Sequence, residues 1–179
     1  IAADVARVVI AIDDPDARVS GRGIAMLKDA GIDVEIGVCA VAAKKLNAGF
    51  LLHRREGRPL VTLKTASTLD ARIATHGGQS QWITGEEARR RGHLLRKTHD
   101  AIVVGIGTAL ADDPELTCRL PGMEGDSPVR VVVDTHLRLP LKSKVVQSAK
   151  KVPTWVVVST ETNMERQDNY AQFGVEFIR

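Results

Sequence analysis

Short β-branched runs that alternate with helix-spaced segments constrain this chain more than anything else in it. Val8-Val9-Ile10-Ala11-Ile12 closes on Asp13-Asp14-Pro15, the pattern of a buried strand and its turn. Residues 24–30 then carry apolar side chains at helical spacing, and Gly31 stands where a helix usually stops. A second strand is expected over 33–38 and a second helix over 41–50. Strand, helix, strand, helix dictates an α/β layer with a largely parallel sheet, because parallel neighbours need a crossover long enough to hold a helix.

Arg54-Arg55-Glu56-Gly57-Arg58-Pro59 interrupts this order with charge, Gly and Pro and no apolar residue, so it marks a boundary. Two domains follow, 1–56 and 57–179. After the boundary the alternation restarts. Strands are expected at 60–63, 101–104, 129–133, 155–158 and 175–178, with helices at 86–97 and around 165–172. The chain opens on Ile1 rather than Met, and its last strand runs to the terminus with nothing to cover it. It therefore reads as the middle of a longer chain.

Aromatic residues are only 3% of the chain against 44% apolar residues, so the core must be built from Val, Ile, Leu and Ala. The same shortage removes the stacking platforms that single-stranded nucleic acid requires. With 25 basic and 22 acidic residues, the chain as a whole is no polyanion binder, although a local basic site for a phosphorylated small molecule fits. Cys39 and Cys118 lie far apart and neither belongs to a Cys-x-x-Cys pair, so no zinc site and no disulfide framework is readable. Two lone thiols suit the reducing cytoplasm. No apolar stretch approaches the roughly 20 residues of a membrane helix.

Several clusters carry chemistry. Lys64-Thr65-Ala66-Ser67-Thr68-Leu69-Asp70 directly follows an expected strand, and strand ends are where the loops of open α/β sheets hold ligands. Lys64 and Asp70 can supply a cation and a proton-transfer group, or simply a salt bridge and a turn. In Ser80-Gln81-Trp82-Ile83-Thr84-Gly85-Glu86-Glu87, Thr84 and Glu87 have capping-box spacing, which starts a helix. Trp82 can stack on a planar ring or join the core. Arg89, His93 and Arg96 fall on one face of that helix, suited to a phosphate or to solvent. Gly105-Ile106-Gly107-Thr108 permits close backbone approach after a strand. It is not a dinucleotide fingerprint, because Leu110 stands where a third Gly would be. Asp112-Asp113-Pro114-Glu115-Leu116-Thr117-Cys118-Arg119 is a turn with a trailing Arg, and Asp134-Thr135 closes another strand.

These blocks, in this order, resemble the bifunctional deaminase–reductase of riboflavin biosynthesis. The matching stretches are Arg58-Pro59 through Lys64, Ser67-Thr68-Leu69-Asp70-Ala71-Arg72-Ile73-Ala74, Ser80 through Gly85, Ala88-Arg89 with Leu95-Arg96, and Asp100-Ala101-Ile102 with Val104-Gly105 and Gly107-Thr108. Asp112-Asp113-Pro114 and Leu116-Thr117 before Arg119 complete the set. Upstream, Gly21-Arg22-Gly23-Ile24-Ala25-Met26-Leu27 and Leu46-Asn47-Ala48-Gly49-Phe50 look like the closing segments of the family's cytidine-deaminase-like domain. The His-x-Glu and Pro-Cys motifs of its zinc site are absent here, so the resemblance places zinc only in an upstream deaminase segment.

The resemblance implies a dihydrofolate-reductase-like, mixed-sheet α/β domain that is incomplete within this chain. It also implies NADPH as hydride donor and reduction of 5-amino-6-(5-phosphoribosylamino)uracil to its ribitylamino product. By analogy, Ala66, Trp82, Thr108, Asp112 and Thr135 bind the cofactor. Ser80, Arg96, Leu116 and Arg119 bind the phosphorylated pyrimidine, and Lys64 is the catalytic candidate near the reacting centre. A homodimer through the reductase part is implied as well. Two alternatives stay open: a non-catalytic nucleotide-binding fragment, and a pterin reductase of the same fold. The family places Gly after the Leu-Asp pair where this chain has Ala71, and its later Gly-rich cofactor segment and substrate-binding Glu would lie beyond Arg179. If position 71 needs a positive φ, Ala costs about 1 kcal/mol there.

Overall fold

β1 (Arg7–Ile10) and β2 (Asp33–Ile36) lie parallel, Val8 opposite Val34 and Ile10 opposite Ile36, with α1 (Arg22–Asp29) as their crossover. The computed structural model describes every residue except Ala17 and Ser20. Gly31 ends α1 as expected, at φ 77°, with its amide on the Lys28 carbonyl at 2.9 Å. The single helix expected over 41–50 is two, α2 (Ala40–Leu46) and α3 (Ala48–Glu56). Asn47 separates them at φ −101° and ψ 19°, and its Nδ2 donates to the Ala43 carbonyl at 2.9 Å. Asn interrupts a helix for this reason: its amide competes for backbone partners. Asp16 gathers Arg18 and Arg54 on its carboxylate, joining the turn after β1 to α3. The Arg18 hydrogen bond is the chief cause that holds the Asp16 carboxyl well below the ordinary carboxylate range.

α3 ends on Gly57 at φ 68°, within the charged boundary read from the sequence. The chain divides into two compact units, Ile1–Leu63 and Lys64–Arg179. Residues 60–63 do not form the expected strand. Leu60, Val61 and Leu63 are 47%, 80% and 86% exposed and pair with no strand among the described residues. Apolar, β-branched composition makes a segment fit to be a strand, but a strand exists only through a hydrogen-bonded neighbour, and none is offered here.

The second unit contains α4 (Glu86–Thr98), β3 (Ala101–Gly105), α5 (Ile106–Asp112), β4 (Val129–Val133), α6 (Lys144–Gln147), β5 (Thr154–Val157), α7 (Met164–Ala171) and β6 (Val175–Ile178). Its sheet has the order β3-β4-β5-β6 and is parallel throughout, with Val103 opposite Val131, Val132 opposite Val156, and Val156 opposite Phe177. Side chains alternate between faces along each strand. On one face Val132 and Val156 are fully buried, packed with Leu137, Leu139, Val145, Val146 and Tyr170. Burying each such valine stabilises the fold by roughly 1.5–3 kcal/mol. Tyr170 meets Phe177 edge to face at 5.8 Å and donates its hydroxyl to the Leu139 carbonyl at 2.6 Å. On the opposite face Val103, Val133 and Ile178 remain 61%, 42% and 39% exposed.

Arg130 also points into the buried face, with no exposed surface and, among the described residues, no ion pair with a carboxylate. Its guanidinium donates to the carbonyls of Glu115, Val145 and Val152 and to the hydroxyls of Ser148 and Thr154, at 2.6–3.1 Å. Burial pushes its pKa down to about 10, so it stays charged at neutral pH.

Candidate functional site

The turn after α5 is held by side chains from three other places in the chain. Arg130 of β4 takes the Glu115 carbonyl at 3.1 Å, and Arg96 of α4 takes the Thr117 carbonyl through Nη1 at 2.9 Å. The Ser127 hydroxyl accepts the Cys118 amide at 3.1 Å, and His93 Nδ1 accepts the Arg119 amide at 3.1 Å. Four clamps in five residues fix an otherwise irregular strip of backbone. Within it Leu116 is 4% exposed and sits at φ 57°, a left-handed conformation that costs a non-glycine residue roughly 1–3 kcal/mol and persists only when its surroundings enforce it.

These contacts bring Arg96, Leu116 and Arg119 together, as their assignment to one site requires. Burial, and then the nearby Arg119 charge, lower the Arg96 pKa. Among the described residues the only carboxylate bonded to either guanidinium is that of Glu115, on Arg119 Nη1 at 2.8 Å. Arg96 adds its charge beside this Arg119–Glu115 pair, which leaves positive charge in excess at the loop. Arg96 also does more than the sequence suggests, because one of its amino groups is engaged in holding the loop.

Thr108 and Asp112 lie one helical turn apart on the exposed side of α5. Thr135 stands two residues past β4 and its carbonyl accepts from Ser159 N and Thr162 Oγ1, both at 3.2 Å. Because β3 and β4 are parallel neighbours, the start of α5 and Thr135 occupy the same end of the sheet. The backbone is bare there: a Cβ added at Gly105 or Gly107 would meet no atom within 4 Å. The buried Asp134 carboxylate shapes the turn carrying Thr135, accepting the Leu139 amide at 2.8 Å with Arg138 3.8 Å away.

Lys64, Ala66, Ser80 and Trp82 belong to a third setting, the irregular stretch 64–85. Lys64 is exposed and Ala66 and Ser80 are half-buried. The stretch is ordered by local turns. Thr68 and Arg72 exchange backbone and hydroxyl hydrogen bonds around Ala71, which sits at φ 60°, so position 71 is the left-handed site that the family's Gly anticipates. Trp82 is 70% exposed, outside the core, with the Arg89 guanidinium 4.5 Å from its ring centre. The expected capping box does not form: Gly85 is the N-cap and no side chain caps it. The Thr84 carbonyl instead receives Arg89 Nη1 at 2.6 Å, so Arg89 leaves the basic face shared by His93 and Arg96.

Reading by motif misses Arg130 and Ser127, and places His93 on a basic face without a role of its own. One signal was available: an arginine among the valines of 129–133 occupies a core-facing register, which is costly unless its donors are all engaged. Among the described residues no three His, Cys, Asp or Glu side chains group to hold a metal, and no helix is long and apolar enough to cross a membrane.

Known proteins give this geometry a context. The family profile of the RibD C-terminal domain matches residues 59–178. The riboflavin biosynthesis protein RibD of Bacillus amyloliquefaciens is 42% identical over 172 residues, 96% of this chain and 46% of that protein. That of Aquifex aeolicus is 39% identical over 178 residues, 99% of this chain and 49% of its own length. Among solved structures, Acinetobacter baumannii RibD (form 1) superposes with a TM-score of 0.84 at 38% identity, covering 99% of this chain and 49% of the other. The Thermotoga maritima diaminohydroxyphosphoribosylaminopyrimidine deaminase/5-amino-6-(5-phosphoribosylamino)uracil reductase gives 0.79 at 35%, covering 97% and 53%. The chain thus spans about half the length of the curated relatives it matches, and its fold is of the dihydrofolate-reductase-like α/β class. With residues 59–178 inside the family profile and these relatives alongside, this chain belongs to the RibD C-terminal domain family.

Proposed function

We propose that residues 57–179 form the reductase portion of a bifunctional riboflavin enzyme, which reduces 5-amino-6-(5-phosphoribosylamino)uracil to its ribitylamino product with NADPH. The observation that carries this reading is the meeting of Arg96, from α4, and Arg119 at one clamped loop, where Glu115 is bonded to Arg119 and Arg96 holds a backbone carbonyl. Such a pair suits the phosphate of the substrate, with Leu116 and Ser80 as further substrate contacts. The bare backbone at Gly105 and Gly107, beside Thr108, Asp112 and Thr135, has room and polar groups for a nucleotide, and Ala66 and Trp82 complete the cofactor set. When bound, NADPH supplies a hydride to C1′ of the opened sugar. The protein's part is to hold donor and acceptor carbons in register, with Lys64 positioning the open chain or moving its proton. An arginine pair favours this phosphorylated substrate over a pterin.

Residues 1–56 are, on the same reading, the closing part of a deaminase domain. They do not fit its zinc: among the described residues Cys39 stands alone and no group of three His, Cys, Asp or Glu side chains gathers to hold a metal. A homodimer and a cytoplasmic location complete the proposal.

The test uses Arg119→Met in the full-length protein. A charge-assisted hydrogen bond contributes roughly 1.5–3 kcal/mol, so KM should rise about tenfold or more while NADPH affinity holds. Arg119→Lys should recover only part of the loss, lacking the planar fork. Unchanged kinetics in the Met variant would move the phosphate site elsewhere. Lost NADPH binding would exchange the two sites. In parallel, adding NADPH should quench tryptophan fluorescence, and Trp82→Ala should remove that signal and weaken binding.

A further inference from the structure

His93 stands on α4 three residues before Arg96, whose Nη1 approaches its Nδ1 at 3.5 Å. The same Nδ1 accepts the backbone amide of Arg119, 26 residues further along the chain, at 3.1 Å. A nitrogen that accepts must keep its lone pair, so the ring proton resides on Nε2 and the imidazole is neutral. The charged groups facing the ring agree with this. Arg96 comes from its own helix and Arg119 from the loop, both cations, and the Glu115 carboxylate is held by Arg119. Burial first, and then these two guanidiniums, lower the imidazole pKa below its ordinary 6.5, against the opposing pull of the Thr117 backbone.

We infer that His93 is a positioning residue: its neutral imidazole fixes the Arg119 backbone, and so sets the place from which the Arg119 guanidinium meets a phosphate-bearing ligand. The inference rests on the reading of Arg96 and Arg119 as a phosphate-holding pair. Its physical basis is preorganisation, since a loop already ordered before binding spares the ligand the cost of ordering it. The sequence gap also matters. Arg96 and Arg119 reach the same spot from a helix and a loop, and His93 is the side chain that bonds to one and touches the other. Protonating Nδ1 would set a donor against the Arg119 N–H donor and free the loop.

The experiment compares His93→Leu, His93→Asn and Arg119→Met in the full-length protein, with ribose 5-phosphate as the probe. Leu removes the acceptor. Asn places a carbonyl oxygen near the position of Nδ1 and cannot titrate. His93→Leu should weaken ribose 5-phosphate binding about tenfold, as loss of a preorganising hydrogen bond predicts. It should also speed hydrogen exchange at the Arg119 amide and leave NADPH affinity unchanged. His93→Asn should recover most of both effects. As pH falls below 6.5, the wild type should lose affinity relative to the Asn variant, a comparison that stands even where the Leu variant does not fold. If His93→Leu binds normally while Arg119→Met does not, the role of His93 is overturned and the phosphate pair survives. If Arg119→Met also binds normally, the phosphate reading fails and takes this inference with it. If wild-type affinity rises in acid relative to Asn, His93 acts as a third cation and the positioning role is overturned.

Discussion

The loop 115–119 and the stretch 64–85 both carry site residues, yet they are built in opposite ways. The loop is tied to α4, Ser127 and β4 by bonds that span up to 26 residues, and it encloses buried Leu116 and Cys118. The stretch relies on turns whose hydrogen bonds span four residues, around Thr68 and Thr75, while Leu69, Ile73 and Trp82 stay exposed. The contrast teaches that the proposed phosphate side is preorganised by the fold, whereas the Lys64 side is shaped chiefly by local turns. Long-range bonds make a segment share the stability of the core; local ones let it open alone.

The sharpest way to break this comparison is Arg130→Met. It fills similar space but strips donors from a buried set of acceptors, each costing about 1–3 kcal/mol when orphaned. We expect about 3–5 kcal/mol of lost stability by denaturant titration, with the 115–119 amides exposed to exchange. A loss under 1 kcal/mol would deny that the loop is fastened to the core. Ser127→Ala should follow, at about 1–2 kcal/mol, by leaving the Cys118 amide unpaired. Thr68→Val, its counterpart in the exposed stretch, should cost under about 0.5 kcal/mol because water replaces its partners. Ala71→Gly should relieve the positive φ by about 1 kcal/mol, raising protection of the residue-71 amide roughly fivefold. The midpoint of global unfolding should scarcely move, and a clear shift would show that 64–85 unfolds with the sheet.

The smallest effect is with pH. His93 has a folded pKa below 6.5, so the unfolded chain binds the proton more tightly. Its contribution to stability is complete above pH 6.5 and is lost as pH falls toward the lowered value. Wild type should therefore lose stability between pH 7 and 5 relative to His93→Asn. Equal slopes would place the ring in an ordinary solvated setting.

Much of this was legible beforehand, for identifiable reasons. The valine run 129–133 could only be a buried strand, and Gly31 ends α1 as a left-handed cap should. The doubling of the second helix was not legible, since an Asn inside a helix-spaced run does not itself say whether its side-chain amide will take a backbone carbonyl. Residues 60–63 misled because composition reports fitness for a sheet and not the presence of a neighbour. At the candidate site, Arg96 and Arg119 enter through the resemblance, and Ala71 was legible by what it replaces. Arg130 and Ser127 escaped because their importance lies in which distant carbonyl or amide they meet, and no local pattern encodes that. Trp82 was ambiguous between core and surface until its exposure and the Arg89 contact settled it.

Arg130 also bears on the order of folding. Its acceptors come from positions 115, 145, 148, 152 and 154, on both sides of it in sequence. The β3–β4 crossover containing the loop therefore cannot take its final form when β3 and β4 first pair. It must wait for α6 and β5 to close over the guanidinium. The loop, though earlier in the chain than β5, shares one guanidinium with it, so unfolding should release the loop together with β4 and β5 in one cooperative step.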